Sequence, residues 1–209
     1  MMKTRVFLLR HGETDANASD TIQGHLDYPL NDRGLFQADC AAERLKKESF
    51  DVIYSSDLSR AFVTAQKAAG GQKIISTPQL REWFLGHWQN LTLPQIKEKF
   101  PKEYALFAAG SPDFIPSGGE SARDFQKRAG NFLDMLHEKH PGQKILCVSH
   151  GGTIKQMLKY VLKLEKFPQT PTLDNTGISC FSTQDGIRWQ LVFWNDHAHI
   201  REAVDSTGW

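Results

Sequence analysis

Four apolar residues in a row, Val6-Phe7-Leu8-Leu9, stop abruptly at Arg10-His11-Gly12. A short run that is apolar on both faces predicts a buried strand of a parallel sheet. Val52-Ile53-Tyr54 and Ile145-Leu146-Cys147-Val148 repeat the pattern, and Ile74-Ile75 offers a shorter one. Between these runs the period changes. Leu35, Ala38, Ala41, Ala42 and Leu45 recur at threes and fours behind Asn31-Asp32, which predicts an amphipathic helix with its N-cap. Ser55-Ser56-Asp57 reads as the cap of a helix carrying Ala61, Ala65 and Ala68, stopped by Gly70-Gly71. A further helix through Ile154, Met157, Leu158 and Val161 follows Ser149-His150-Gly151-Gly152. Strand alternating with helix predicts an α/β fold: three layers, α/β/α, with a mostly parallel central sheet and helices on both faces.

The tail breaks this rhythm. Ile178 to Ser182 and Trp189 to Trp194, around Gln184-Asp185-Gly186, predict a C-terminal antiparallel hairpin, Asp-Gly supplying the positive φ of a tight turn. Between Leu91 and Gly119 the period is helical but cut by Pro94, Pro101, Pro112 and Pro116, which predicts two short helices and a loop laid over the sheet as a lid. A chain of 209 residues fits around one core. The expectation is a single domain over residues 1–209 with a lid insertion at approximately 83–120.

Composition narrows the function classes. A formal net charge of +1 argues against general nucleic-acid or membrane-surface binding, which needs a basic face. Three scattered cysteines, none in a C-x-x-C pair, do not make a disulfide framework and fit a reducing compartment. The apolar run near the start is too short for a secretory signal, and no stretch approaches the roughly 20 apolar residues of a membrane span. A soluble, cytoplasmic, unprocessed protein is expected.

The chemistry lies where two strands end alike, in His-Gly: His11-Gly12 and His150-Gly151. Ligands of open α/β sheets bind at the carboxyl ends of parallel strands, so two such loops can bring the histidines together. Arg10, at the end of a buried strand, requires an anion or a polar cavity. Arg60 lies in the first turn of the helix after Val52-Ile53-Tyr54, another electropositive position. Two arginines with free backbone N–H groups suit a dianionic phosphoryl group.

Leu9-Arg10-His11-Gly12-Glu13-Thr14 with Asn17 resembles the R-H-G signature of the histidine phosphatase superfamily, the phosphoglycerate-mutase-like proteins. The similarity continues in family order through Gln23-Gly24, Ser55 to Ala61, Leu80-Arg81-Glu82, Gly118-Gly119-Glu120-Ser121 and Val148 to Gly152. The resemblance, which takes in broad-specificity, α-ribazole, phosphoserine and sugar-phosphate phosphatases alike, implies a metal-independent phosphomonoester hydrolase with a phosphohistidine intermediate and no cofactor. It makes His11 the nucleophile and Glu82 the proton donor. Arg10, Arg60 and His150 would hold the phosphoryl oxygens, helped by Asn17, the backbone around Gln23 and Gly24, and Gly151. Cations beside His11 would favour the neutral, nucleophilic imidazole. Trp83, Phe84, Leu85 and Trp88 would give Glu82 an apolar setting, which beside a phosphate dianion favours a protonated carboxyl. Glu13 reads as a buttress. Relatives often carry Trp-Glu-Gly where this chain has Trp88-Gln89-Asn90, so contacts inferred from that loop do not transfer.

Three other readings compete. A phosphoglycerate mutase needs the same phosphohistidine, but the mutases compared are longer between the acid and the second histidine. A metallohydrolase built on His11, His25, His150 and Asp15 lacks H-x-H or H-E-x-x-H spacing, and Arg10 and Arg60 would repel the ion. A non-catalytic phosphate-binding module would keep the fold, yet nucleophile, arginines, second histidine and acid are all present. The partner expected is a small-molecule phosphomonoester. The hairpin edge offers a surface for a homodimer. Trp83, Phe84, Trp88, Tyr104, Phe107 and Phe114 could line a pocket or form the lid's own core.

Overall fold

The structure, a computed structural model, describes residues 3–167 and 169–200. Residues 1, 2, 168 and 201–209 of the expected 1–209 span lie outside them. The elements run β1 (Thr4–Arg10), α1 (Asp15–Ala18), α2 (Asp32–Leu45), β2 (Val52–Ser56), α3 (Ser59–Ala68), β3 (Ile74–Thr77), α4 (Leu93–Lys99), α5 (Pro101–Ala108), α6 (Ala122–Lys139), β4 (Lys144–Ser149), α7 (Gly151–Leu162), β5 (Ile178–Thr183) and β6 (Gln190–Asp196). The strands form one sheet in the order β3-β2-β4-β1-β5-β6. β3, β2, β4 and β1 are parallel, while β5 and β6 join antiparallel.

The apolar run of β1 explains the layering. Successive side chains of a strand face opposite sides. Val6 and Leu8 pack with Leu133 and Leu136 of α6 and with Ile154 and Met157 of α7. Phe7 and Leu9 pack with Ala41 and Leu45 of α2 and with Ala61 and Ala65 of α3. The expected three-layer α/β/α arrangement is therefore the one observed. α6, the longest helix, was missing from the elements read off the pattern, although Phe125, Ala129, Phe132, Leu133 and Leu136 keep a helical period and are buried.

Two local expectations change. The cap of α3 is Leu58 rather than Ser55-Ser56-Asp57. Ser56 Oγ instead receives the Leu58 N–H, and Asp27 Oδ1 receives that of Ser59. The connection of the hairpin is not a tight Asp-Gly turn: β5 ends at Thr183 and β6 starts at Gln190. Gly186 does take a positive φ of 72°, but Asp185 folds the loop back by accepting from the N–H groups of Ile187 and Arg188.

Residues 83–120 carry the two short helices foreseen, over a small cluster of their own in which Leu85, Trp88, Ile96 and Phe114 are buried. Among the described residues no helix is long and apolar enough to cross a membrane.

Candidate active site

β1 and β4 are neighbours, with Arg10 opposite Ser149, so the loops that leave them emerge side by side. The rings of His11 and His150 come to 5.1 Å between centroids. The first loop is wedged against the start of α2. A side-chain carbon at Gly12 would collide with the carbonyl of Gly34, and one at Gly34 with that of Glu13, so both positions need glycine. Glu13 buttresses this junction, accepting from Asn31 Nδ2 at 3.1 Å.

His11 is buried, and its Nδ1 lies 2.6 Å from the carbonyl of Gly12. A carbonyl only accepts, so Nδ1 carries the ring proton and Nε2 keeps its lone pair. Burial, then Arg60 and Arg10, push the imidazole well below its ordinary pKa. His150 is shifted in the same direction, chiefly by burial and then by Arg60. Its Nε2 is 2.9 Å from Ser56 Oγ, a hydroxyl that already accepts from Leu58 N–H. A hydroxyl carries one proton and two lone pairs, so Ser56 can hold either tautomer of the ring, whose other nitrogen is Nδ1. That Nδ1 has no partner among the described residues.

Each arginine divides its donors between scaffold and cavity. Arg60, 1% exposed, donates to the carbonyls of Leu26 and Gly24, holding the Gln23–Leu26 loop. Arg10 donates to Leu173 O at 2.6 Å. The Nε of both is buried and without a partner among the described residues. Burial lowers the Arg60 guanidinium to about 10, which still leaves it charged at neutral pH. Asn17 commits its oxygen to the Thr14 N–H as part of a capping box, leaving its amide nitrogen as the available donor. Buried polar groups are nearly always paired, so unpaired donors on two arginines that line one cavity mark a place for an anion.

Glu82 sits opposite, and its surroundings differ from the apolar setting expected. Its two carboxyl oxygens accept from Trp83 N–H and Gly152 N–H, both at 2.8 Å. The aromatic residues turn away: Trp83 stacks on Phe125, Phe84 lies against His25, and Trp88 is wholly buried in the cluster with Leu85, Ile96 and Phe114. Rigid placement comes from the backbone before it. Ser149 Oγ donates to Leu80 O, Thr153 Oγ1 to Arg81 O, and Arg128 to the carbonyls of Gln79, Arg81 and Glu82. His25 Nε2 also donates to Glu82 O. Arg81 forms a two-pronged pair with Asp57.

The cavity holds about 980 Å³ and is lined by His11, both arginines, Asn17, Gln23 and Glu82, as well as Gly24 and Gly151. All the sequence-expected site residues but one line it. The exception, His150, lies beside His11. Trp83, Phe107 and Phe114 also face the cavity, whereas Trp88 and Tyr104 belong to the small cluster within residues 83–120. His25 is engaged with Glu82 O, and Asp15 is exposed; among the described residues no three His, Cys, Asp or Glu side chains group to hold a metal. Three contributors were not foreseen. Asn175 braces His11 through Nδ2 to its carbonyl, Arg128 locks the Glu82 segment, and Gln89 accepts from His25 N–H at 2.6 Å. The Trp88-Gln89-Asn90 departure thus supports the loop that Arg60 also holds.

The depressed histidines have a measurable cost in acid. His11 and His150 are shifted well down and His199 to about 4, burial leading in each. Below about pH 6.5 the unfolded chain binds protons that the folded one refuses, so stability falls as pH drops, by up to about 1.4 kcal/mol per pH unit for each histidine. Melting temperature should decline steadily from pH 7 to pH 5, less steeply in His199→Asn. A flat or rising profile would contradict the burial described.

The model of the histidine phosphatase superfamily (branch 1) matches residues 6–197. Phosphoglycerate mutase-like protein 4 of Arabidopsis thaliana is 38% identical over 202 residues, 94% of this chain and 87% of the relative. The metal-independent phosphoserine phosphatase of the same plant is 35% identical, covering 94% and 83%. Among solved structures, a mutant phosphoserine phosphatase from Entamoeba histolytica in complex with phosphoserine superposes with a TM-score of 0.85, at 33% identity over 94% of this chain and 99% of that one.

Proposed function

Because this chain belongs to the histidine phosphatase superfamily, we propose that it hydrolyses phosphomonoesters of small metabolites without a metal, through a phosphohistidine at His11. The observation that carries this reading is the His11 imidazole. Its proton is fixed on Nδ1 by Gly12 O, so Nε2 is the free nucleophile, and two guanidinium groups with unpaired Nε donors lie beside it.

The chemistry follows from the positions. The phosphoryl oxygens are received by Arg10 Nε, Arg60 Nε, Asn17 Nδ2 and the start of α7, with His150 Nδ1 completing the set. These donors concentrate positive charge where the transition state develops negative charge. His11 Nε2 bonds to phosphorus as the ester P–O bond breaks, and Glu82 gives its proton to the departing alkoxide. Water then attacks phosphorus, Glu82 takes back a proton, and the P–N bond breaks to release inorganic phosphate and restore His11. One carboxyl in both roles satisfies microscopic reversibility. We also assign the segment around residues 83–120 as the lid, since Trp83, Phe107 and Phe114 wall the cavity from that side.

Two measurements test the reading. Phosphate release from a panel of phosphorylated metabolites should survive dialysis against EDTA; loss that a divalent cation restores would overturn metal independence. Incubation with 3-phosphoglycerate should yield free phosphate. Substantial isomer formation with little phosphate would replace the hydrolase by a mutase.

A further inference from the structure

The phosphoryl site accounts for one end of the cavity. From there the wall follows α7, where Lys155 and Lys159, one turn apart, face the same space as Arg10 and Glu82. Both lysines are half-buried, and neither forms an ion pair or a side-chain hydrogen bond with any described residue. Burial lowers both ammonium groups, and the charge of Arg10 adds to this at Lys155. Beyond Lys159 a second hollow of about 750 Å³ shares Lys159, Glu165 and Lys166 with the first. Three carboxylates lie near enough to balance these cations, and none forms an ion pair with either lysine: Asp174, whose charge is felt at Lys155 and Arg10, is half exposed and accepts from Asn195 Nδ2. Glu82 is engaged by two backbone N–H groups, and Glu165 stands exposed at the rim. Trp83, Phe107 and Phe114 make the lid side of the cavity apolar.

Arg10, Arg60 and the start of α7 suffice for a phosphoryl dianion, which is small beside a space of this volume. Partly desolvated cations without a directly paired carboxylate are unfavourable, and an arriving anion relieves that. We propose that Lys155 and Lys159 form a second anion site. It selects phosphomonoesters that carry a further anionic group, a carboxylate or a second phosphate, on an organic body lying against the aromatic wall. The inference rests on the phosphatase reading and names the substrate class of that same site. Lysines that merely cover apolar surface with their stems would be indifferent to substrate charge.

Matched substrates separate these cases. kcat/KM would be measured for 3-phosphoglycerate against glycerol 3-phosphate, para-carboxyphenyl phosphate against phenyl phosphate, and fructose 1,6-bisphosphate against fructose 6-phosphate. The first two pairs report a carboxylate and the third a phosphate. The wild-type protein should favour the more anionic member of at least one pair by about tenfold or more. Lys155→Met with Lys159→Met should erase most of that preference through KM, and the two arginine variants should restore it. No preference in the wild type, or one that the methionine variants keep, overturns the proposal while leaving the phosphatase reading intact. Calorimetric binding of 3-phosphoglycerate and glycerol 3-phosphate to His11→Ala, with and without the methionine changes, decides the lysine site independently of turnover. Absence of phosphate release from every ester would instead strike the phosphatase reading.

Discussion

His11→Ala is expected to reduce turnover by about a thousandfold or more, because His11 lines the cavity beside the two arginines with the lone pair of its Nε2 free. His150 is not expected to substitute, since it is absent from the cavity lining and its Nε2 is tied to Ser56. The fold should survive, since the side chain makes a single hydrogen bond, to the carbonyl of the next residue. Removing a group whose protonation is resisted by burial and by Arg60 should also make the variant less sensitive to acid than the wild type. The decisive measurement is rapid quenching with a radiolabelled phosphoester. Label should appear in the wild-type protein as an acid-labile, base-stable adduct and be missing from the variant. A labelled variant with ordinary turnover would place the covalent step on another residue and end the nucleophile assignment.

Glu82→Gln should lower kcat by about a hundredfold or more on alkyl phosphates and by less than about tenfold on p-nitrophenyl phosphate, whose leaving group departs without a proton. The comparison between leaving groups matters because the substitution also has a structural cost. Glu82 accepts two backbone N–H bonds, and an amide has one oxygen with which to accept them. A stability loss of about 1–2 kcal/mol is therefore expected alongside the kinetic effect. Misplacement of the Trp83–Gly152 junction alone would slow both substrate classes equally, so equal losses would remove Glu82 from the acid role.

The legible parts of this molecule were those with a repeating signal. The apolar runs at Val6–Leu9 and Ile145–Val148 and the three-and-four spacing of α2 and α7 announced both the elements and their burial. The histidines were legible because each closes such a run at the same end of the sheet. What escaped has no period. Arg128 looks like any surface arginine of an amphipathic helix, yet it reaches three carbonyls around 46–49 residues earlier in the chain. Asn175 precedes β5 in a polar stretch with no motif, and only the pairing of β5 with β1 brings it to His11. The cap of α3 was misplaced because Ser56 serves His150 and Asp57 serves Arg81, long-range partners that local propensity cannot weigh.

The strand order has a consequence for the way the enzyme comes into being. Residues 10, 60, 82 and 150 meet at one rim because β1, although first in the chain, seats itself between β4 and β5 near its end. A nascent or partly refolded chain with helices and aromatic clusters already formed, but with that central slot still open, has no reactive constellation. Regain of catalytic power after denaturation is thus a stringent clock for the final closure of the sheet, ticking later than the optical signals of Trp83 and Trp88, which pack in a cluster away from β1.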